Sequence, residues 1–371
     1  MTEPQPPYRL TLEAAELLRE HPPQFRHPNK AALFDVAYPA GTTASGRVVV
    51  TRWAAALPES LPMPATLAAD IQPNFYDYQP VASGARPAVE WHVNFADPRL
   101  FVAYGSGLFA QDEMQVAEHP LLACVREALL SRGLAAKTSD EGGATPVLVK
   151  NVERRIEVAT NPDAAAGRPM GLYGNRFAAA PIDVVLRATR RIEPPTITHF
   201  IAMAAPSGGR GEYTEREIAQ VFTTAYTAFA AARGESIRGA GPADAAAGAA
   251  AGAAADASAG AAAGSSASAD RAAHASSVPA AKTVVHTGFW GCGAFGGNRR
   301  LMVALQSLAA RAAGVDKLVI YAGDKPGFEE ARLALDVADT VAARCGERCT
   351  LDTLVGRCAM LGYRWGVSDG N

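Results

Sequence analysis

The sequence predicts an α/β domain built on a largely parallel or mixed sheet, and three observations carry that expectation. From about residue 88, short β-branched runs alternate with segments whose apolar residues recur at helical spacing. One of those runs, "KTVVHTG" (282–288), passes directly into a glycine-rich turn and then into a helical pattern. An alanine, glycine and serine stretch, 239–281, falls between a helix and a strand of this alternating region, so it reads as an insertion within one domain.

The elements follow in order. Residues 1–85 are proline-rich, with one helical pattern in "LTLEAAELLREH" and one strand-like run in "GRVVVTRWA"; they read as an N-terminal accessory segment ahead of a main domain at 86–371. "AVEWHVNFA" reads as a buried strand, and "HPLLACVREALLSRG" as an amphipathic helix that Gly133 stops. "TPVLVKNVERRIEVAT" reads as a strand pair, "TITHFIAMAAP" as a buried strand and "TEREIAQVFTTAYTAFAAARG" as a capped helix. After the insertion come the strand "KTVVHTG", the helix "RRLMVALQSLAARAAG", the strand "DKLVIYAG" and two closing helices. The insertion carries almost no bulky apolar side chain, and each glycine costs a helix about 1 kcal/mol. With nothing to bury, it is expected to stay disordered.

Composition narrows the function. Across 371 residues, 35 basic and 37 acidic side chains leave a net charge of −2, which argues against a nucleic-acid-binding surface spread over the whole protein. The start lacks a basic stretch followed by an apolar one, and no segment has the unbroken apolar length of a membrane span. Five irregularly spaced cysteines suit a reducing compartment, and "CGERC" (345–349) has no second ligand pair, so no metal or cofactor site is expected. The expectation is a soluble cytoplasmic protein with no membrane partner. Its oligomeric state stays open.

The richest chemistry lies in "TGFWGCGAFGG" (287–297). "GCGAFG" satisfies the G-x-G-x-x-G dinucleotide pattern. The acidic residue of that pattern is expected about 20 residues later, whereas the first acid ending the next strand is Asp324, 28 residues beyond Gly296. A tight turn without a ligand is the second reading. The third is an anion loop: exposed backbone amides before a helix bind phosphate oxygens, and interleaved aromatic rings cover the flat parts of a nucleotide. Upstream, "VNFADPRLFVAYGSGLFAQDEM" (93–114) places the adjacent acids Asp112 and Glu113 near an expected helix start. Paired carboxylates raise one another's pKa, so one can keep a proton for general acid work. A solvated acid pair favoured by a helix dipole is the plainer alternative.

The string "TGFWGCGAFGG" resembles poly(ADP-ribose) glycohydrolase, whose macrodomain carries T-G-N-W-G-C-G-A-F-G-G in its diphosphate loop; ten of eleven positions agree. The resemblance implies a three-layer α/β/α sandwich of macrodomain type, with ADP-ribose or an ADP-ribosylated macromolecule as ligand. It implies that Gly291, Cys292, Gly293, Ala294 and Phe295 wrap the diphosphate and distal ribose, with Phe289 in place of the family's asparagine. The family's V-D-F-A-N and Q-E-E motifs resemble "VNFAD" and Gln111-Asp112-Glu113, which follow Asp97 at a spacing of 14. That likeness implies Glu113 as general acid, Asp112 as holder of ribose hydroxyls, and Asn94, Asp97 and Gln111 at the substrate. Tyr173 in "GLYGNRF" is similar to the tyrosine that clasps the ribose.

Two departures bear on activity. Where the family has three glycines this chain has Phe101-Val102-Ala103, with Gly105-Ser106-Gly107 as a displaced substitute. Asn94 and Asp97 also exchange the amide and the acid of the family motif. The reading is hydrolysis of an ADP-ribosyl linkage. The alternatives are an ADP-ribose-binding module without strong catalysis and an inactive relative whose pocket Phe101 fills.

Overall fold

The computed structural model describes residues 6–81, 86–141, 143–238 and 280–370. The expected insertion therefore lies outside the described residues, apart from its last two positions. Strand β1 (Tyr8–Glu13) leads into α1 (Ala14–Glu20), so the helix expected in "LTLEAAELLREH" is half strand. Helix α2 (Pro28–Ala37) starts on a proline behind His27, whose Nδ1 accepts from the Asn29 amide at 3.3 Å. Then come β2 (Arg47–Arg52), β3 (Leu61–Pro62), β4 (Ala68–Gln72), β5 (Ala88–Phe95), α3 (Gln111–Glu118) and α4 (Leu121–Ser131). A small ribbon of β6 (Ser139–Asp140) and β7 (Gly143–Ala144) precedes β8 (Val147–Val158).

The expected strand pair at 145–160 is one long strand. Its irregular register against its neighbour, with Asn151 at φ 62°, breaks the alternation that made it look like two. After it come α5 (Arg176–Ala179), α6 (Ile182–Arg187), β9 (Thr189–Met203) and α7 (Glu215–Arg238). Strand β10 (Lys282–Gly288) is followed by α8 (Arg299–Ala313), capped by the Asn298 side chain on the Leu301 amide and ended by Gly314 at φ 70°. Strand β11 (Lys317–Tyr321), helix α9 (Lys325–Cys345), β12 (Arg348–Cys349), which pairs with β3, and α10 (Leu351–Ala359) close the chain.

Eight strands form one mixed sheet in the order β1-β2-β8-β9-β5-β10-β11-β4. The five from β9 to β4 are parallel, and β8, β2 and β1 extend them antiparallel. The N-terminal 85 residues thus supply both edges of the sheet. Alternating side chains face two cores: Trp91, Val93, Leu148, Ile201 and Met203 pack with α7, α8, α9 and α10 on one side. Val147, Val149, Phe200 and Ala202 pack with α1, α2, α3 and α4 on the other. The result is the expected three-layer α/β/α sandwich. Among the described residues no helix is long and apolar enough to cross a membrane.

Candidate active site

The central strands set the site. β5 and β10 are parallel neighbours in the register Val285↔Trp91 and His286↔His92, so their C-terminal ends, Phe95 and Gly288, emerge at one edge of the sheet. The chain after β5 leads to α3, and the chain after β10 is the glycine loop. In open α/β sheets that edge is where ligands bind.

Helix α3 is clamped to β5 by its first residue. Gln111 accepts from the Phe95 amide at 2.8 Å and donates to the Val93 carbonyl at 3.0 Å. Gln111 therefore fixes the helix start rather than presenting its amide outward. Asp112 and Glu113 follow, only 7% and 4% exposed. Asn94 is fully buried and donates through Nδ2 to Asp112 Oδ1 at 3.0 Å and to Gln115 Oε1 at 2.9 Å. It orients the first carboxylate. Glu113 Oε2 accepts from the Ala110 amide at 3.0 Å, half of a capping box, which holds the second.

Burial raises both carboxyls above the ordinary range, and for Asp112 the charge of Glu113 adds to it. Both carboxyls are thereby shifted toward the protonated form, unlike a solvated acid pair. Beneath it lies a residue the sequence reading missed. Lys30 on α2 is 2% exposed, donates to the Tyr104 carbonyl at 3.0 Å and rests against the rings of Phe109 and Phe177. Burial lowers its pKa to about 8, against the opposing pull of Glu113 and Asp112. A signal existed: Lys30, Leu33, Phe34 and Ala37 share helical spacing, so a lysine sits in an apolar stripe.

The remaining upstream candidates fall nearby with different duties. Asp97 accepts from the Arg99 amide at 2.8 Å and is partly open, its side chain 37% exposed. Phe101 takes a left-handed φ of 52°, with its ring fully buried in the second core. Gly105 does not open onto a cleft. Its carbonyl accepts from the Arg26 and His27 amides, and a Cβ on it would stand 2.3 Å from the Gln24 carbonyl oxygen. The N-terminal segment 24–27 covers this loop.

Tyr173 lies opposite. Its phenol hydrogen-bonds to the Gln111 backbone, and burial, with Asp369 and Glu113 adding, pushes its pKa to about 12. The ring is nonetheless 39% exposed at residue level, so it lines an open face beside the acids.

The glycine loop is pinned at both ends. Trp290 is a core residue, 1% exposed, donating through Nε1 to the Met203 carbonyl at 3.0 Å. Gly291 takes φ 75° with its α-carbon against Ala205, where a Cβ would come within 2.5 Å of the Ala205 methyl. The Gly297 amide donates back to the Gly291 carbonyl at 2.9 Å, closing the turn. Gly293, Ala294 and Phe295 form the crest; Ala294 is exposed and the other two half-buried. Cys292 packs on the core, where burial raises its thiol pKa, so it is no nucleophile. Phe289 packs against Gly327 and under the Arg299 guanidinium, 4.9 Å from its ring centre. Among the described residues no cluster of three or more His, Cys, Asp or Glu could hold a metal.

Residues 173–328 match the family model described as "Poly (ADP-ribose) glycohydrolase (PARG), Macro domain fold". The match runs from Tyr173 through the glycine loop, and it bears out the resemblance read from that loop. Among solved structures, the chain is similar to poly(ADP-ribose) glycohydrolase from Thermomonospora curvata bound to the inhibitor ADP-HPD, at 14% identity. That likeness covers 84% of this chain and 100% of the other, with a TM-score of 0.44. It is also similar to poly(ADP-ribose) glycohydrolase from Deinococcus radiodurans in complex with ADP-ribose, at 11% identity over 88% and 94% of the chains, TM-score 0.37. No curated protein matches the chain.

Proposed function

We propose that the protein is an ADP-ribosyl glycohydrolase of divergent poly(ADP-ribose) glycohydrolase type, with Glu113 as general acid. The observation that carries this reading is the buried pair Asp112–Glu113, oriented by Asn94 and the Ala110 amide, with both carboxyls pushed by burial toward the protonated form. In the proposed reaction the diphosphate lies along the crest at Gly293–Phe295 and the ribose faces the acids under Tyr173. Glu113 gives its proton to the departing oxygen as the C1′–O bond breaks, and water completes the ribose. Asp112 accepts from ribose hydroxyls. Five unpaired cysteines fit action in a reducing compartment, the cytoplasm.

A second reading, an ADP-ribose-binding module, draws on the loop at 101–107, where Phe101 is buried and Gly105 is covered by residues 24–27. One substitution separates the two. Glu113→Gln keeps size and hydrogen bonding but removes the acid, so turnover of ADP-ribosylated substrates should fall by about 10²–10⁴-fold. ADP-ribose affinity by calorimetry should hold, because the proton acts in the transition state. If neither protein turns over poly(ADP-ribose), serine-, arginine- or glutamate-linked protein or modified nucleic acid while both bind ADP-ribose, the binding module stands; equal measurable turnover would remove Glu113 as the acid.

A further inference from the structure

The crest of the glycine loop is already engaged, by the chain's own C-terminal segment. Trp365 anchors that segment: its ring stacks on Tyr213 at 4.3 Å and its amide donates to the Gly211 carbonyl at 2.9 Å. From there residues 366–370 run along the loop. The Gly366 amide donates to the Gly296 carbonyl at 2.9 Å, and the Asp369 amide reaches the Gly293 carbonyl at 3.3 Å. Gly296 leaves no room beneath this run, since a Cβ there would stand 3.1 Å from the Ser368 amide nitrogen. At Gly293 the direction a side chain would take ends 3.0 Å from Asp369 Oδ2.

The segment also reaches across the site. The Asn175 side chain donates to the Gly370 carbonyl at 3.2 Å, and the Asp369 carboxylate acts on the Tyr173 phenol. Residues 366–370 thus bridge the glycine crest on one side and the Tyr173–Asn175 turn on the other, the two walls between which the ligand is proposed to lie. The group brought to the crest is a carboxylate, an anion, at the place where exposed glycine backbone favours phosphate oxygens.

We propose that residues 366–370 are a built-in competitor for the anion position of the glycine loop, with Asp369 supplying the competing carboxylate. The proposal rests on the reading of the loop as a diphosphate site. A ligand must displace the Asp369 carboxylate and the two backbone hydrogen bonds that hold it, so its measured affinity is the intrinsic one reduced by the fraction of time the segment is away.

The test compares three proteins by calorimetry: the full chain, a chain ending at Trp365, and full-length Asp369→Asn. Each is titrated with ADP-ribose, AMP and inorganic pyrophosphate, and matching melting temperatures establish that all three are folded. The shortened chain should bind ADP-ribose and pyrophosphate about tenfold tighter or more. Asp369→Asn should show part of that gain, and AMP should gain by the same factor as the other two, since every ligand of the loop displaces the same segment. Equal affinities in the full and shortened chains overturn the proposal, as does weaker binding after shortening, which would make the segment a wall of the site. If shortening strengthens pyrophosphate while no protein binds ADP-ribose, the competitor stands and the nucleotide reading falls. If the shortened chain binds none of the three, both fall.

Discussion

Asp112→Asn should make the protein more stable at neutral pH, and the gain should disappear in acid. Asp112 has an ordinary carboxyl value of 3.8 that burial, with the adjacent Glu113, pushes up to about 8 in the folded chain. A carboxyl whose folded pKa is raised binds more protons folded than unfolded across that window. Its contribution to stability is therefore complete below pH 3.8 and is lost as pH rises toward 8. About three pH units separate the unfolded value from pH 7, each worth about 1.4 kcal/mol, so the burden is on the order of 4 kcal/mol. Glu113 accounts for part of the shift, which cuts the amount assignable to Asp112 alone to about 2 kcal/mol. Asparagine keeps the acceptor oxygen that Asn94 Nδ2 addresses at 3.0 Å, so the change removes the charge and little else.

Urea unfolding of the two proteins at several pH values reads this directly. The variant should be about 2 kcal/mol more stable between pH 7 and 8, with the curves converging below pH 4. Parallel curves, or a variant less stable at pH 8, would show that Asp112 is stabilised as an anion in the fold. The acid pair would then hold no proton at neutral pH, and Glu113 could not act as proposed.

Two further outcomes test the supports of the site. Lys30→Met removes the buried cation that holds Glu113 down, so the alkaline limb of the pH–rate profile should move up by about one unit; an unmoved limb would mean Lys30 only fills space. Gly291→Ala forces a side chain onto a φ of 75° and into the Ala205 methyl at 2.5 Å. It should cost about 2–4 kcal/mol in urea unfolding, and a loss under 1 kcal/mol would show that the turn can shift.

The parts of this protein legible in sequence are those fixed by neighbours in the chain. Strands β5 and β10, helices α4, α7 and α8 and the glycine turn were all readable, because β-branched runs, helical spacing and stop residues act within a few positions. The glycine loop was legible for the same reason: Gly291 needs its φ of 75° whatever surrounds it. The acid pair was visible as residues, but not as raised carboxyls, since burial between β5, α2 and α3 is the largest cause of their shifts.

What the tertiary structure alone decided is which distant segments meet. The proline-rich first 85 residues gave little local pattern, yet β1 and β2 form one edge of the sheet and β4 the other, because an open sheet exposes hydrogen-bonding edges that another strand can satisfy. Those residues also carry Lys30 to the acids and lay 24–27 over Gly105. Asn94 was read as a ligand contact, and the fold also makes it the hydrogen-bond partner of Asp112. Asp369 gave no signal: an aspartate in "GVSDGN" has ordinary local chemistry, and only the stacking of Trp365 on Tyr213 brings it to the crest of the loop. Contacts between segments hundreds of residues apart depend on packed surfaces that exist only once the sheet has formed, and no short window of sequence contains them.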